Sequence, residues 1–114
     1  MPGDSEDPNA DVAYHLEVTP GDVAPSVLLP GDPDRVELIT DRWDDAEEVA
    51  RHREYRTRTG EFDGVPISVT STGIGSPSAA IAVEELARAG AESLVRVGSC
   101  GAIQPDIEVG DLVI

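Results

Sequence analysis

Apolar positions along this chain fall into short runs separated by Gly, Pro and Asp. The first clear run, Ser26-Val27-Leu28-Leu29, reads as a strand that feeds directly into Pro30-Gly31-Asp32-Pro33-Asp34-Arg35. Pro33 suits the first position of a helix, with Asp32 as its cap. Val36, Ile39 and Trp43 then recur at spacings of three and four, the signature of a short amphipathic helix. Residues 46–53 fit either a helix or a strand. Residues 55–62 and 65–71 flank Asp63-Gly64, a favoured two-residue turn, and Val65, Ile67 and Val69 alternate with polar residues, so the pair reads as a β-hairpin.

After Thr72-Gly73-Ile74-Gly75, Ser76 and Pro77 offer a cap and a first position for a helix that ends near Gly90. Ala79, Ala82, Val83, Leu86 and Gly90 fall on one face of it, and Glu84 with Arg88 makes an i,i+4 pair on the other. Residues 93–97 form the next strand. A strand, helix, strand succession implies a parallel sheet. Near the end, Gly110-Asp111-Leu112-Val113-Ile114 again has a strand pattern, with no turn or cap after it. This leads to the expectation that the chain is the N-terminal part of a longer protein.

Composition narrows the class. All eight basic residues are arginine, and the formal net charge is -15, so nucleic acid and anionic membrane surfaces are not expected partners. An acidic surface without lysine fits a salt-rich cytoplasm, where like-charge repulsion reaches only about 3 Å at 1 M salt, and points to a salt-adapted microbe. The single Cys100 excludes an internal disulfide and offers no metal-binding pair. No apolar run approaches the roughly 20 residues of a membrane span, and no basic-then-apolar leader opens the chain. A soluble cytoplasmic protein is expected, with residues 1–11 a disordered acidic tail and residues 12–114 part of one domain.

The candidate chemistry lies at the ends of two strands. Leu94, Val95 and Val97 make a run suited to a strand buried on both faces, yet Arg96 sits within it, and a buried guanidinium without a partner costs several kcal/mol. Gly98, Ser99, Cys100 and Gly101 follow, small residues that let backbone N–H groups approach a ligand. The segments 28–35 and 94–101 share this design of strand, glycine turn and arginine. If the two strands are neighbours, Arg35 and Arg96 converge on one anion at the carboxyl ends of the sheet. Against this, Arg35 could pair with Asp32 or Glu37, and Arg96 with a buried acid. TGIGSPS lacks the third glycine of a dinucleotide fingerprint and reads as a tight turn feeding a helix. Cys100 reads as a small packing residue rather than a nucleophile, and His15 and His52 carry no local signal that separates a site from an ordinary surface.

Five blocks, YHL, LLPGDPDRV, ARHREY, STGIGSPSAAIAVEEL and RVGSCGAIQPDIEVGDLVI, occur in an order that resembles the nucleoside phosphorylase family, most closely its uridine phosphorylase branch. The resemblance spans residues 14–114. It implies an α/β, three-layer-like fold, a mixed central sheet flanked by helices, with only the N-terminal half present. It implies that Gly31, Arg35, Arg53, Arg96 and Ser99 bind phosphate, Arg53 reaching it from a neighbouring subunit, and that Arg35 and Arg96 are the catalytic pair. His15 would approach the 5′-hydroxyl of the neighbour's nucleoside, with Ser99 and Gly101 near the same substrate.

The implied reaction is reversible phosphorolysis of a nucleoside, uridine first, to free base and ribose 1-phosphate. A purine nucleoside or methylthioadenosine phosphorylase, a nucleosidase, and a non-catalytic phosphate-binding module are the alternatives. No cofactor is implied beyond a structural potassium ion at Glu54, Ile74 and Ser78. The implied assembly is a hexamer built from dimers with shared active sites. Base-reading residues and the glutamate that holds the ribose would lie beyond Ile114, so a chain of these residues alone is expected to be inactive and poorly soluble.

Overall fold

The computed structural model describes residues 11–114, and the expected acidic tail lies outside the described residues apart from Asp11. Five strands form one sheet: β1 (Ser26–Leu29), β2 (Asp45–His52), β3 (Tyr55–Phe62), β4 (Val65–Thr70) and β5 (Ser93–Arg96), in the order β2-β3-β4-β1-β5. β2, β3 and β4 are an antiparallel meander, whereas β4, β1 and β5 run parallel. The sheet is therefore mixed, as expected. α1 (Arg35–Thr40) links β1 to β2, and α2 (Ser76–Arg88) carries the chain from β4 across to β5. No helix among the described residues is long and apolar enough to cross a membrane.

The main core lies under α2. Val27 and Leu29 of β1 pack with Tyr55, Ala82, Leu86 and Ala89 and with Leu16, Val18 and Val23 from the segment before β1. β3 alternates strictly: Tyr55 joins this core, while Arg56 and Arg58 face the other way, toward Glu37 and Thr40 of α1. Helices thus flank both faces of the sheet, the three-layer arrangement expected. The buried Arg56 guanidinium is bound by Glu37 and Glu48, and its hydrogen bonds hold both carboxyls below their ordinary range.

Between β3 and β4 the buried contacts are polar. Thr57 Oγ1 meets Thr70 Oγ1 at 3.0 Å, and Thr59 Oγ1 meets Ser68 Oγ at 2.7 Å. Both pairs are directly opposed in the ladder. Each outer hydroxyl also reaches the loop before β1: Thr59 donates to the Asp22 carbonyl at 2.6 Å, and Ser68 Oγ accepts the Ala24 N–H at 2.8 Å.

Several local expectations shift. Of residues 46–53, open between helix and strand, 46–52 belong to β2 and Arg53 to the turn after it. Around Asp32 the backbone makes i,i+3 turns, Arg35 N–H to the Asp32 carbonyl at 3.0 Å and Val36 N–H to the Pro33 carbonyl at 3.2 Å, so the helix proper begins at Arg35. The Asp32 carboxylate still caps a backbone donor, the Asp34 N–H at 2.9 Å. Trp43 lies past the helix in a turn, so only Val36 and Ile39 of the expected stripe are helical. α2 begins one residue early because Gly75, at φ 93°, makes the turn that only glycine adopts freely. Its buried face holds Ala82, Glu85 and Leu86, leaving Val83 and Gly90 exposed, because the Glu85 carboxylate is drawn inward by backbone donors.

The strand expected to be buried on both faces is not. Val95 and Val97 are 54% and 40% exposed, because β5 is an edge strand whose one partner among the described residues is β1. The strand pattern at residues 110–114 is likewise unrealised: residues 97–114 make turns and extended stretches with no ladder, since a strand forms only against a partner.

Gly60 has a local packing role. A Cβ there would overlap the Asp45 carbonyl and lie 2.8 Å from Ala46 Cα, its opposite on β2. Gly60→Ala is expected to destabilise the fold by about 3 kcal/mol through strand displacement, read as a lower urea midpoint; an unchanged midpoint contradicts this packing.

Candidate anion-binding site

Three parallel strands end together. β4, β1 and β5 are neighbours, and their carboxyl ends run into 71–75, 30–35 and 97–99 respectively. Backbone bonds tie the three exits: Thr72 N–H to the Pro30 carbonyl at 2.9 Å, Gly73 N–H to the Gly31 carbonyl at 2.9 Å, and Val97 N–H to the Leu29 carbonyl at 3.1 Å. Above them opens a cleft of about 800 Å³, lined by Gly31, Arg35, Arg96 and Ser99 together with Asp32, Glu54, Gly73 and Ile74. The strand pairing sets this convergence, since Leu29 stands opposite Arg96 in the β1–β5 register.

Arg96 is exposed along its edge strand, so the argument from a buried charge does not apply; its position rests on one hydrogen bond. Nη1 donates to the Leu29 carbonyl at 2.9 Å, which lays the guanidinium over the turn. A Cβ on Gly31 would come within 3.2 Å of Nη2, so the bare turn makes room for the arginine. Among the described residues, neither Arg35 nor Arg96 lies in a salt bridge, whereas Arg56, Arg58 and Arg88 do. The two carboxylates Arg35 could have taken are otherwise engaged: Glu37 with Arg56 and Arg58, Asp32 with the Asp34 N–H. The cleft thus holds two cations without ion-pair partners, in a chain whose net charge is -15. Such an arrangement binds an oxyanion through forked, charge-assisted hydrogen bonds.

The turn 72–75 forms the opposite wall. Gly73, at φ 74°, leaves no space for a side chain, since a Cβ would lie 2.5 Å from Glu54 Cγ. The Glu54 carbonyl accepts from Ser71 Oγ at 2.6 Å, which fixes the β2–β3 turn against this wall. Ser78 Oγ donates to the Ile74 and Gly75 carbonyls at 3.0 and 3.2 Å. TGIG is therefore a turn feeding a helix, as read from its missing third glycine.

Other expected site residues stand apart from this cleft. Arg53 is exposed in the β2–β3 turn, at φ 55°. Gly101 and the exposed Cys100 line a second cleft, of about 900 Å³, walled by the residues after β5. His15 sits over α2, where its Nδ1 lies 2.6 Å from Glu85 Oε2. Glu85 also accepts the backbone N–H groups of His15 at 3.0 Å and Leu16 at 2.9 Å. Burial opposes ionisation of Glu85, but the Leu16 N–H and the His15 ring and backbone donors outweigh it and hold the carboxyl below its ordinary value. Sequence reasoning missed Glu85; the available signal was an acid inside the apolar stripe of Ala82, Leu86 and Ala89.

A family model described as the Phosphorylase superfamily matches residues 25–114. The chain is 67% identical over 101 residues to a uridine phosphorylase of Thermococcus kodakarensis, covering 89% of this chain and 36% of that protein. It is 54% identical over 100 residues to a guanosine phosphorylase of Halorubrum lacusprofundi, covering 88% and 42%. A solved uridine phosphorylase from Vibrio fischeri superposes with a TM-score of 0.85 at 45% identity, covering 87% of this chain and 41% of that one. A purine nucleoside phosphorylase from Toxoplasma gondii superposes with a TM-score of 0.81 at 41% identity, covering 83% and 38%. The chain thus spans well under half the length of these relatives.

Glu85 gives a pH test. Its folded carboxyl is held below the ordinary 4.5, so its contribution to stability is full above that value and is lost as pH falls through the depressed one. Glu85→Gln is expected to lower stability by about 2 kcal/mol near neutral pH. The gap to the wild type should narrow as pH falls below the ordinary carboxyl range, as urea unfolding at neutral and at acid pH would show; a constant gap contradicts the assignment.

Proposed function

Because this chain belongs to the phosphorylase superfamily, we propose that it supplies the phosphate-binding half of a nucleoside phosphorylase acting on uridine, the rest of its relatives' length supplying the base-reading half. The observation that carries this reading is the convergence of Arg35 and Arg96, without ion-pair partners, on a glycine-walled cleft at three strand ends. In this role Gly31, Arg35, Arg96 and Ser99 hold phosphate, and Arg35 and Arg96 act as the catalytic pair. Arg53, exposed and not among the residues that line its own chain's cleft, reaches the phosphate of a neighbouring copy; His15 meets the 5′-hydroxyl there, and Gly101 lies beside the nucleoside. Glu54 and Ile74 line the cleft and Ser78 follows on α2; their hard oxygen donors suit a potassium ion held between two copies. The assembly is a hexamer built from dimers, working in the cytoplasm of a salt-adapted cell in pyrimidine salvage.

In the forward reaction an oxygen of phosphate attacks C1′ of the nucleoside. The bond from C1′ to the base nitrogen breaks, its electron pair leaves with the base, and ribose 1-phosphate remains. The chain's task is positioning: two guanidinium groups neutralise and aim the phosphate, so the nucleophile is already oriented when the bond breaks. A hydrolytic nucleosidase has no use for such a clamp. The guanosine phosphorylase relative and the purine nucleoside phosphorylase neighbour support a purine substrate as the second reading.

The full-length protein is expected to consume uridine only when phosphate is supplied, releasing uracil and ribose 1-phosphate, followed by nucleoside absorbance. Consumption that is equally fast without phosphate, or none of any nucleoside, overturns the phosphorylase reading; guanosine or inosine in preference to uridine selects the purine one. Arg96→Ala should raise KM for phosphate about 10- to 100-fold, the loss of hydrogen bonds to a charged group. An unchanged phosphate dependence refutes its role.

A further inference from the structure

Glu85 and His52 lie outside the cleft and have no part in the reaction described above, yet both are spent on one short segment. Three donors of residues 15 and 16 converge on the Glu85 carboxylate: the His15 N–H, the Leu16 N–H and the His15 ring. From the other side His52 Nδ1 lies 2.7 Å from the His15 carbonyl oxygen. Acceptor-only partners fix both rings: an ionised carboxylate and a carbonyl cannot donate, so Nδ1 carries the proton on His15 and on His52. His15 is therefore left with Nε2 as its unprotonated ring nitrogen when neutral. The side chain keeps 34% exposure while Glu85 keeps 10%, so the carboxylate is the buried anchor and the imidazole the presented group. Tyr14 packs edge-on against the same ring, 4.8 Å between centroids.

We propose that Glu85 is the positioning residue for His15: the carboxylate fixes the imidazole in the Nδ1–H tautomer, so that Nε2 accepts a hydrogen bond from the 5′-hydroxyl of a nucleoside bound by a neighbouring copy. The inference rests on the phosphorylase reading for the identity of that hydroxyl, and on this chain's geometry for the tautomer. A carboxylate behind a functional histidine sets which ring nitrogen faces the ligand. His52 adds a second constraint. It holds the His15 backbone and is followed directly by Arg53, so the two groups lent to the neighbour are braced through one hydrogen bond. A purely structural Glu85 would need only the backbone donors; the ring contact at 2.6 Å is the part that a positioning role uses.

The test compares uridine with 5′-deoxyuridine in the full-length protein, for wild type, His15→Ala and Glu85→Gln. The wild type should prefer uridine in kcat/KM. Both variants should lose that preference by about tenfold, the loss of one oriented hydrogen bond, and in Glu85→Gln 5′-deoxyuridine turnover and KM for phosphate should stay unchanged. In parallel, nitrogen NMR of the His15 imidazole should show the neutral ring protonated at Nδ1 in the wild type and shifted toward Nε2–H in Glu85→Gln. Glu85→Gln that slows both nucleosides equally, a wild type indifferent to the 5′-hydroxyl, or a wild-type His15 protonated at Nε2 overturns the proposal. If no nucleoside is phosphorolysed at all, the functional reading falls and takes the hydroxyl with it, while the tautomer measurement still decides whether Glu85 sets the ring.

Discussion

The site depends on the parallel pairing of β1 with β5. That ladder sets Leu29 opposite Arg96, and the same Leu29 carbonyl accepts from the Arg96 guanidinium and from the Val97 N–H. One peptide oxygen thus fixes both where the strand stops and where its arginine lies. Because Gly31 follows two residues later, in the turn after β1, the guanidinium settles over a position without a side chain, and Arg35 enters the same space from the start of α1. An open parallel sheet presents its strand ends in this way, and here both arginines stay out of ion pairs although Asp32 and Glu54 also line the cleft. Glu37 is held by Arg56 and Arg58 on the far face of the sheet, so the ion pairs there keep a potential partner away from Arg35.

Much of this was legible in the residues. Asp63-Gly64 marked the hairpin, the strand, helix, strand succession implied the parallel pair, and the shared design of segments 28–35 and 94–101 placed two arginines at one sheet end. What failed did so for physical reasons. Val95 and Val97 have the composition of a doubly buried strand, but burial is a property of neighbours, and β5 has one. Residues 110–114 have a strand's alternation and no partner to pair with. The Val83 error came from treating helix burial as a matter of hydrophobicity alone: Glu85 turns inward because two backbone N–H groups and a ring await it, a contact 70 residues distant in sequence for His15. No local pattern encodes that.

Buried polar groups recur wherever this chain needs accuracy rather than bulk. With an aromatic content of 4%, the core rests on Val, Leu and Ala, whose packing is weakly directional. Direction comes instead from Glu85 against residues 15 and 16, from Arg56 between two carboxylates, and from hydroxyls between β3 and β4. Each costs desolvation and returns a defined geometry when every donor finds its acceptor.

The paired hydroxyls of β3 and β4 have a consequence at the cleft. An aliphatic interface tolerates sliding, but Thr57 with Thr70 and Thr59 with Ser68 match only in one alignment, and a slip of β4 by one residue would turn Ser68 and Thr70 to the opposite face from their partners. β4 is the strand whose exit carries Gly73 and Ile74. Locking its phase against β3 therefore fixes the height at which that exit stands beside Gly31, much as a vernier fixes the reading of a scale. The hydroxyl ladder, none of whose residues lines the cleft, gauges how far apart the cleft's walls are set.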